Sequence, residues 1–246
     1  MATLLPPDIS TQGPAIDHLL LVLHLFMGTI FLGWGGYFLY CLFRFRAKSQ
    51  GPVERSVKPF SLPKYLELVI FGFELFLLVF LAGPLWAKIR QDFPSEKTAI
   101  VIHLIAEQYA WNVQYPGPDG LFGPISPAKI TPLNPLGLDR DALGAGDDLV
   151  SVNEMHIPVH RPVVVYLSSK DVIHSFFLPV MRVKQDIIPG IGARVWFEAT
   201  QTGSYEIACA QLCGNGHFRM RGRFIVDTEA DFSAWLKSKE PKRNVE

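Results

Sequence analysis

Twelve consecutive residues hold most of the soft donor atoms of this chain: Cys209-Ala210-Gln211-Leu212-Cys213-Gly214-Asn215-Gly216-His217-Phe218-Arg219-Met220. Two thiols, an imidazole and a thioether follow one another at the spacing C-x3-C-x3-H-x2-M. These are ligand types that suit copper. A mononuclear blue-copper site takes one Cys, two His and a weak axial Met, and here a second Cys is present. Two thiolates can bridge two copper ions, and each ion then needs one imidazole. His217 supplies one. The other has to come from elsewhere in the chain.

The remaining six histidines are His18, His24, His103, His156, His160 and His174. His18 and His24 belong to an apolar N-terminal segment. His103, His156 and His160 read as structural or surface residues. His174 lies in Asp171-Val172-Ile173-His174-Ser175-Phe176-Phe177, after one apolar run and before a Pro-bearing turn. A ligand at a strand end, opposite a C-terminal ligand loop, is the arrangement of a copper-binding Greek-key barrel. Asp171 could steady that imidazole from outside the ligand set. Two external cysteines four apart could instead form a disulfide, a zinc site or a copper-delivery site.

The elements that position these residues fall into two regions. Leu19–Phe43 is an apolar run without a charge, and Leu68–Ala87 is a second with only Glu74. A bilayer core needs about 20 apolar residues as a helix, so both are expected to span, at about residues 19–43 and 68–87. A signal peptide is not expected at the first run, because the preceding segment has no Lys or Arg and contains Asp8 and Asp17. Between the runs lie Arg44, Arg46, Lys48, Arg55, Lys58 and Lys64 against Glu54. Positive loops stay on the cytoplasmic side, so both termini are expected outside. From about Gln91 the composition changes to short β-rich runs separated by Pro and Gly: Thr98–Ile105, Val163–Leu167, Arg194–Ala199, Gly203–Ala208 and Gly222–Val226. Residues 116–150 read as a long irregular excursion, and Phe232–Lys239 as a closing helical turn. The expected organisation is an N-terminal segment with a two-helix transmembrane anchor over 1–90, an external all-β domain over 91–230, and a helical turn and tail over 231–246.

Composition excludes several classes. The 23 basic and 23 acidic residues cancel, so nothing global points to a nucleic-acid partner. With 49% hydrophobic and 19% charged residues, the chain is not disordered in the main. Three cysteines do not make a disulfide scaffold.

Three motifs in order, D-V-I-H-S-F, R-V-K-Q-D-I-I-P-G and the C-x3-C-x3-H-x2-M loop, behind two spans, resemble subunit II of the haem-copper terminal oxidases, the cytochrome c oxidase family. The resemblance covers nearly the whole chain. It implies a transmembrane hairpin followed by a Greek-key cupredoxin barrel with a binuclear copper centre, CuA. By the resemblance the ligands are His174, Cys209, Cys213, His217, Met220 and the backbone carbonyl of Gln211. It also implies a role: electrons enter from a c-type cytochrome, or from a c-type haem of a neighbouring complex. They pass to haem in subunit I, which holds the haems and CuB, where oxygen is reduced to water and protons are pumped. Partners are subunit I and subunit III, in a bacterial or mitochondrial inner membrane. No catalytic acid, base or nucleophile is expected in this chain.

The resemblance carries further expectations. Tyr109 stands where the family has a Trp through which electrons enter, and Trp111 is the second aromatic of that patch. For Trp111 packing of the barrel is the favoured reading. Glu67 is a candidate for proton uptake at the inner end of the second span. Gln211 replaces a Glu that in the family reaches an interfacial Mg or Mn, so that site is expected to be weakened or lost. Arg219, Arg221 and Arg223 should turn away from copper by strand alternation, while Met220 turns towards it. Asp139, Asp141, Asp147 and Asp148 could receive a basic cytochrome. The rival reading is a membrane-tethered copper carrier or thiol sensor, which should not need both His174 and Met220 on a prebuilt barrel.

Overall fold

The computed structural model describes residues 5–46 and 62–239. Lys48, Glu54, Arg55 and Lys58 of the basic loop lie outside the described residues. The chain forms two compact units, Ala15–Lys88, and Met1–Pro14 together with Ile89–Glu246.

The first unit is the anchor. Helix α1, Gly13–Arg44, runs for 32 residues because nothing in Leu19–Phe43 breaks it. Asp8 accepts the Ser10 amide at 3.0 Å, and Ser10 Oγ accepts the Gly13 amide at 2.8 Å, which caps the helix start. The second span, Lys64–Gln91, is also long and apolar enough to cross a membrane. It is not one regular helix. Helix α2, Leu62–Phe76, leads into a π-helical segment, Leu77–Ala82, and then into α3, Gly83–Gln91. Pro84 has no amide proton for the carbonyl four residues back, and the chain widens just before it. The Gly83 amide then bonds to Leu78 O, five residues back. Phe26 and Phe73 join the two spans, with ring centroids 4.7 Å apart.

The second unit is a β-sandwich of two five-stranded sheets. One sheet has the order β3-β2-β1-β5-β8: β1 Ile100–Glu107, β2 Ala110–Tyr115, β3 Leu149–Val152, β5 Pro162–Ser169 and β8 Ala193–Glu198. The other has the order β4-β10-β9-β6-β7: β4 Glu154–Pro158, β6 His174–Leu178, β7 Val183–Ile187, β9 Gly203–Cys209 and β10 Arg221–Asp227. Strands β1 and β5 are parallel, as are β4 and β10, and the remaining pairs are antiparallel. The buried core lies between the sheets and contains Ile102, Val113, Val165, Phe176, Phe197 and Phe224. Rings meet across it edge to face, Trp111 with Phe176 at 6.1 Å and Phe197 with Phe224 at 6.0 Å.

Residues 1–90 are expected to form one N-terminal region, but the segment before α1 belongs with the sandwich. Ile9 is buried, and its amide donates to Val180 O at 3.0 Å. Thr11 N donates to Glu198 O, and Thr200 N to Ile9 O. The closing helix α4, Glu229–Lys239, starts earlier than expected because Thr228 Oγ1 accepts the Asp231 amide at 3.2 Å. Its Trp235 stacks on His156, whose ring nitrogens meet Asp227 at 2.6 Å and Glu154 at 2.9 Å. His103 stacks on Phe122 at 3.7 Å.

The excursion is ordered by its own polar groups. Asp148 is buried, and accepts Gln114 Nε2 at 2.6 Å and the Gly123 amide at 2.8 Å. Lys129 pairs with Asp139. Asp148 and Asp139 are therefore structural. Of the four acidic residues expected to receive a cytochrome, Asp148 is buried and Asp139 is paired, while Asp141 stays exposed.

Candidate metal centre

Strand pairing brings the distant histidine to the thiol loop. β6 and β9 are antiparallel, with Phe176 opposite Cys209, and the Ala210 amide extends the ladder to Ser175 O at 3.0 Å. His174, the first residue of β6, thus lies beside Cys209, the last residue of β9. The ligating atoms of His174, Cys209 and Cys213 lie within 4.8 Å of one another.

The other donors of the loop surround Cys213. Its Sγ is 3.8 Å from Cys209 Sγ, 3.6 Å from His217 Nδ1 and 3.7 Å from Met220 Sδ. Gln211 turns its carbonyl to Cys209 Sγ at 3.2 Å, while its side chain is exposed. Cys213, Met220 and His174 are buried, and His217 is half-buried. His217–Arg219 forms a short 3-10 turn that places the imidazole and the thioether on one side of the loop.

His174 is oriented from behind. Asp171 Oδ1 lies 2.8 Å from Nε2, while the buried Nδ1 has no hydrogen-bond partner. Asp171 also accepts the amides of Gln108 and Val172, each at 2.6 Å. Burial works against ionisation of Asp171, but His174 and these two amides outweigh it and hold the carboxyl below its ordinary value. Burial likewise opposes charge on His174, but Cys209 and Asp171 beside it raise its pKa. The two thiols diverge. Burial alone would raise Cys209, but the His174 imidazole and the backbone of Ser175 and Gln211 bring it down to about 6. Cys213 is pushed up to about 11 by burial and by Cys209 next to it. One thiolate therefore forms readily and suppresses the second, a repulsion that a bound cation would relieve. An orphaned buried imidazole nitrogen, two adjacent thiols, a second imidazole and a thioether together fit copper.

Tyr109 is half-buried against the loop. A Cβ on Gly216 would lie 2.5 Å from its ring, and one on Gly214, at φ +128°, 2.6 Å from its hydroxyl. The Arg219 guanidinium sits 5.8 Å from the ring centroid. Trp111 is fully buried, 6.3 Å from the His174 ring, and packs the core. Arg221 and Arg223 point outward on β10 to Glu206 and Glu154, while Gly222 and Phe224 point in. Glu67 is exposed on α2, in the anchor. Sequence reasoning missed Gln108, whose Nε2 donates to Cys213 O at 2.7 Å. An exposed Gln beside Tyr109 carried no signal of that contact.

The family model for cytochrome c oxidase subunit II, periplasmic domain, matches residues 100–226. The chain belongs to the cytochrome c oxidase subunit II family. Among its relatives is the alternative cytochrome c oxidase subunit 2 of Bradyrhizobium diazoefficiens, 32% identical over 94% of this chain and 83% of that one. Cytochrome c oxidase subunit 2 of Thermostichus vulcanus is 34% identical over 61% of this chain, which spans only 36% of that longer relative. The crystal structure of the periplasmic domain of subunit II from Bradyrhizobium japonicum is 31% identical over 59% of this chain and 95% of that chain, with a TM-score of 0.44. As a family member the chain pairs an apolar helical anchor with a cupredoxin-like domain, and is a subunit of an oxidoreductase complex.

Proposed function

We propose that this chain is the electron-accepting subunit of a haem-copper oxidase, with His174, Cys209, Cys213, His217, Met220 and the Gln211 carbonyl holding two copper ions. Bound there, the copper pair would take single electrons from a c-type cytochrome and hand them to haem in subunit I, for reduction of oxygen and proton pumping. The observation that carries this reading is the buried His174 Nδ1, left without a partner beside two thiols 3.8 Å apart. Asp171 keeps the His174 ring turned so that Nδ1 faces no competing hydrogen bond. The burial of Cys213 and Met220 excludes water from the donor cluster, which limits rearrangement between redox states.

The remaining assignments are carried over by analogy with the family, from which Tyr109 and Gln211 depart. Tyr109 is where electrons enter, while Trp111 packs the core. Glu67 serves proton uptake at the inner end of the second span, and unchanged turnover in Glu67→Ala oxidase would remove that role. Gln211 offers no side-chain charge, so an interfacial Mg or Mn is weakened. A fully occupied metal on the Gln211 side chain would show otherwise. Both termini and the β domain face outward across a bacterial or mitochondrial inner membrane, beside subunits I and III.

The test is the full chain loaded with copper. Two copper ions per chain and an EPR signal shared equally between them are expected, and Cys209→Ser and Cys213→Ser should each abolish that signal. His103→Ala should leave it intact. One copper per chain, or a signal localised on a single ion, refutes the binuclear assignment.

A further inference from the structure

The thiol loop carries a one-sided charge. Cys209–Met220 contains no Asp or Glu, and Arg219 is its one permanent cation. Arg219 is exposed and pairs with no carboxylate among the described residues. What it meets is the Tyr109 ring, with Cζ 5.8 Å from the centroid. An aromatic face attracts a guanidinium without neutralising it. The next two arginines differ: Arg221 pairs with Glu206 at 3.2 Å, and Arg223 with Glu154 at 3.5 Å.

The acids around the loop are already engaged. Asp171 holds His174 and accepts the amides of Gln108 and Val172. Glu107 meets Lys170 Nζ at 2.7 Å. Asp186 accepts Ser175 Oγ at 2.6 Å and has Lys184 3.8 Å away. On the excursion, Asp141 lies 3.6 Å from Lys129, and Asp147 accepts the Asp119 amide at 3.3 Å. The charge left without an opposite partner beside Tyr109 is therefore positive.

The other large side chains of the loop surface are apolar. Leu212 and Phe218 are each 76% exposed. One peptide bond joins Leu212 to Cys213, and another joins Phe218 to His217. Exposed apolar side chains beside a Tyr and an Arg have the composition of an interface centre. A guanidinium takes a carboxylate by two parallel hydrogen bonds. A partner ringed with lysines would set like charge against it.

We propose that Arg219 selects an acidic electron donor, a c-type cytochrome whose haem edge is bordered by Asp or Glu side chains. The donor docks by apolar contact on Leu212 and Phe218, with a carboxylate on the Arg219 guanidinium. This docking rests on the reading of the loop as the electron-accepting centre. The test measures binding of oxidised cytochromes, one net acidic and one net basic, to the copper-free full chain in mild detergent over a range of ionic strengths. The acidic cytochrome is expected to bind more tightly at low salt and to weaken as salt rises. Arg219→Gln should weaken it about fivefold at low ionic strength and flatten the salt dependence, while Arg219→Lys keeps that dependence. A guanidinium that merely held Tyr109 in place would leave the salt dependence unmoved. Phe218→Ser should weaken binding at every ionic strength. Tighter binding of the basic cytochrome, or a salt dependence unchanged in Arg219→Gln, overturns the proposal. An Arg219 effect present in the isolated chain but absent from the purified oxidase would mean that a neighbouring subunit covers the guanidinium, and would overturn it too. Stopped-flow reduction of the copper-loaded chain separates the two readings. Docking as expected without electron transfer would refute the electron-accepting centre and leave the docking surface standing.

Discussion

Gln108 reaches across to Cys213, donating its side-chain amide to the cysteine carbonyl at 2.7 Å, while its own backbone amide donates to Asp171 at 2.6 Å. Asp171 in turn holds His174. One residue thus ties the two ligand-bearing segments together, the thiol loop through its side chain and the β6 start through its backbone. Groups that orient metal ligands typically contribute ten- to a hundredfold to metal affinity. Gln108→Ala is expected to speed copper release to a chelator by about tenfold at unchanged thermal stability. Release at the native rate would mean that the loop holds its own shape.

Tyr109 lies in a cradle that only glycines at 214 and 216 leave open. Its ring packs on the loop backbone beside the Gln108 side chain. Tyr109→Ala is expected to slow reduction by a c-type cytochrome by about tenfold or more, as loss of an aromatic anchor does at an interface, while the EPR spectrum stays native. Gly216→Ala should slow it too, because the added carbon would displace the ring. Stopped-flow reduction decides it, and a native rate in Tyr109→Ala would place electron acceptance elsewhere.

Asp148 provides a pH signature away from the metal centre. Burial raises its carboxyl pKa in spite of the hydrogen bonds from Gln114 and Gly123. The folded state therefore holds the proton more tightly than the unfolded chain does. Its stabilising contribution is full in acid, and falls as pH rises from the ordinary value of 3.8 through the raised one. Asp148→Asn should remove this dependence, so its melting temperature should gain on the native chain's as pH rises through that window. A relative loss over the same window would mean that the hydrogen bonds outweigh burial.

The ligand set is legible in the sequence because its chemistry is concentrated. Two thiols, an imidazole and a thioether in one short loop have few alternative uses, and His174 stands at a strand start in a recognisable motif. What was missed is polar and buried. β2 reads Trp111-Asn112-Val113-Gln114-Tyr115, and all five are buried because the excursion covers its outer face. Asn112 bonds to Glu107 and Gln114 to Asp148, so the alternation that marks a strand is present while the solvent it implies is not. Asp148 looked like a surface acid for the same reason. Gln108 lies at a turn, where side-chain type carries no periodic signal. Pro84 was visible, but the π-helical turn before it is a backbone adjustment that hydropathy does not record.

The N-terminal stitch of the sandwich bears on how the molecule is made. Ile9 donates to Val180 and accepts from Thr200, so an early-synthesised part of the β unit waits for residues made much later. Between Ile9 and Thr200 a ribosome adds about 190 residues, roughly ten to forty seconds at about 5–20 residues per second. Both spans are translated within that interval. The sandwich can therefore close only after both spans have been translated, and a nascent chain halted before residue 180 would hold Ile9 without either partner. The anchor is thus translated between the two halves of the stitch that Ile9 makes with Val180 and Thr200.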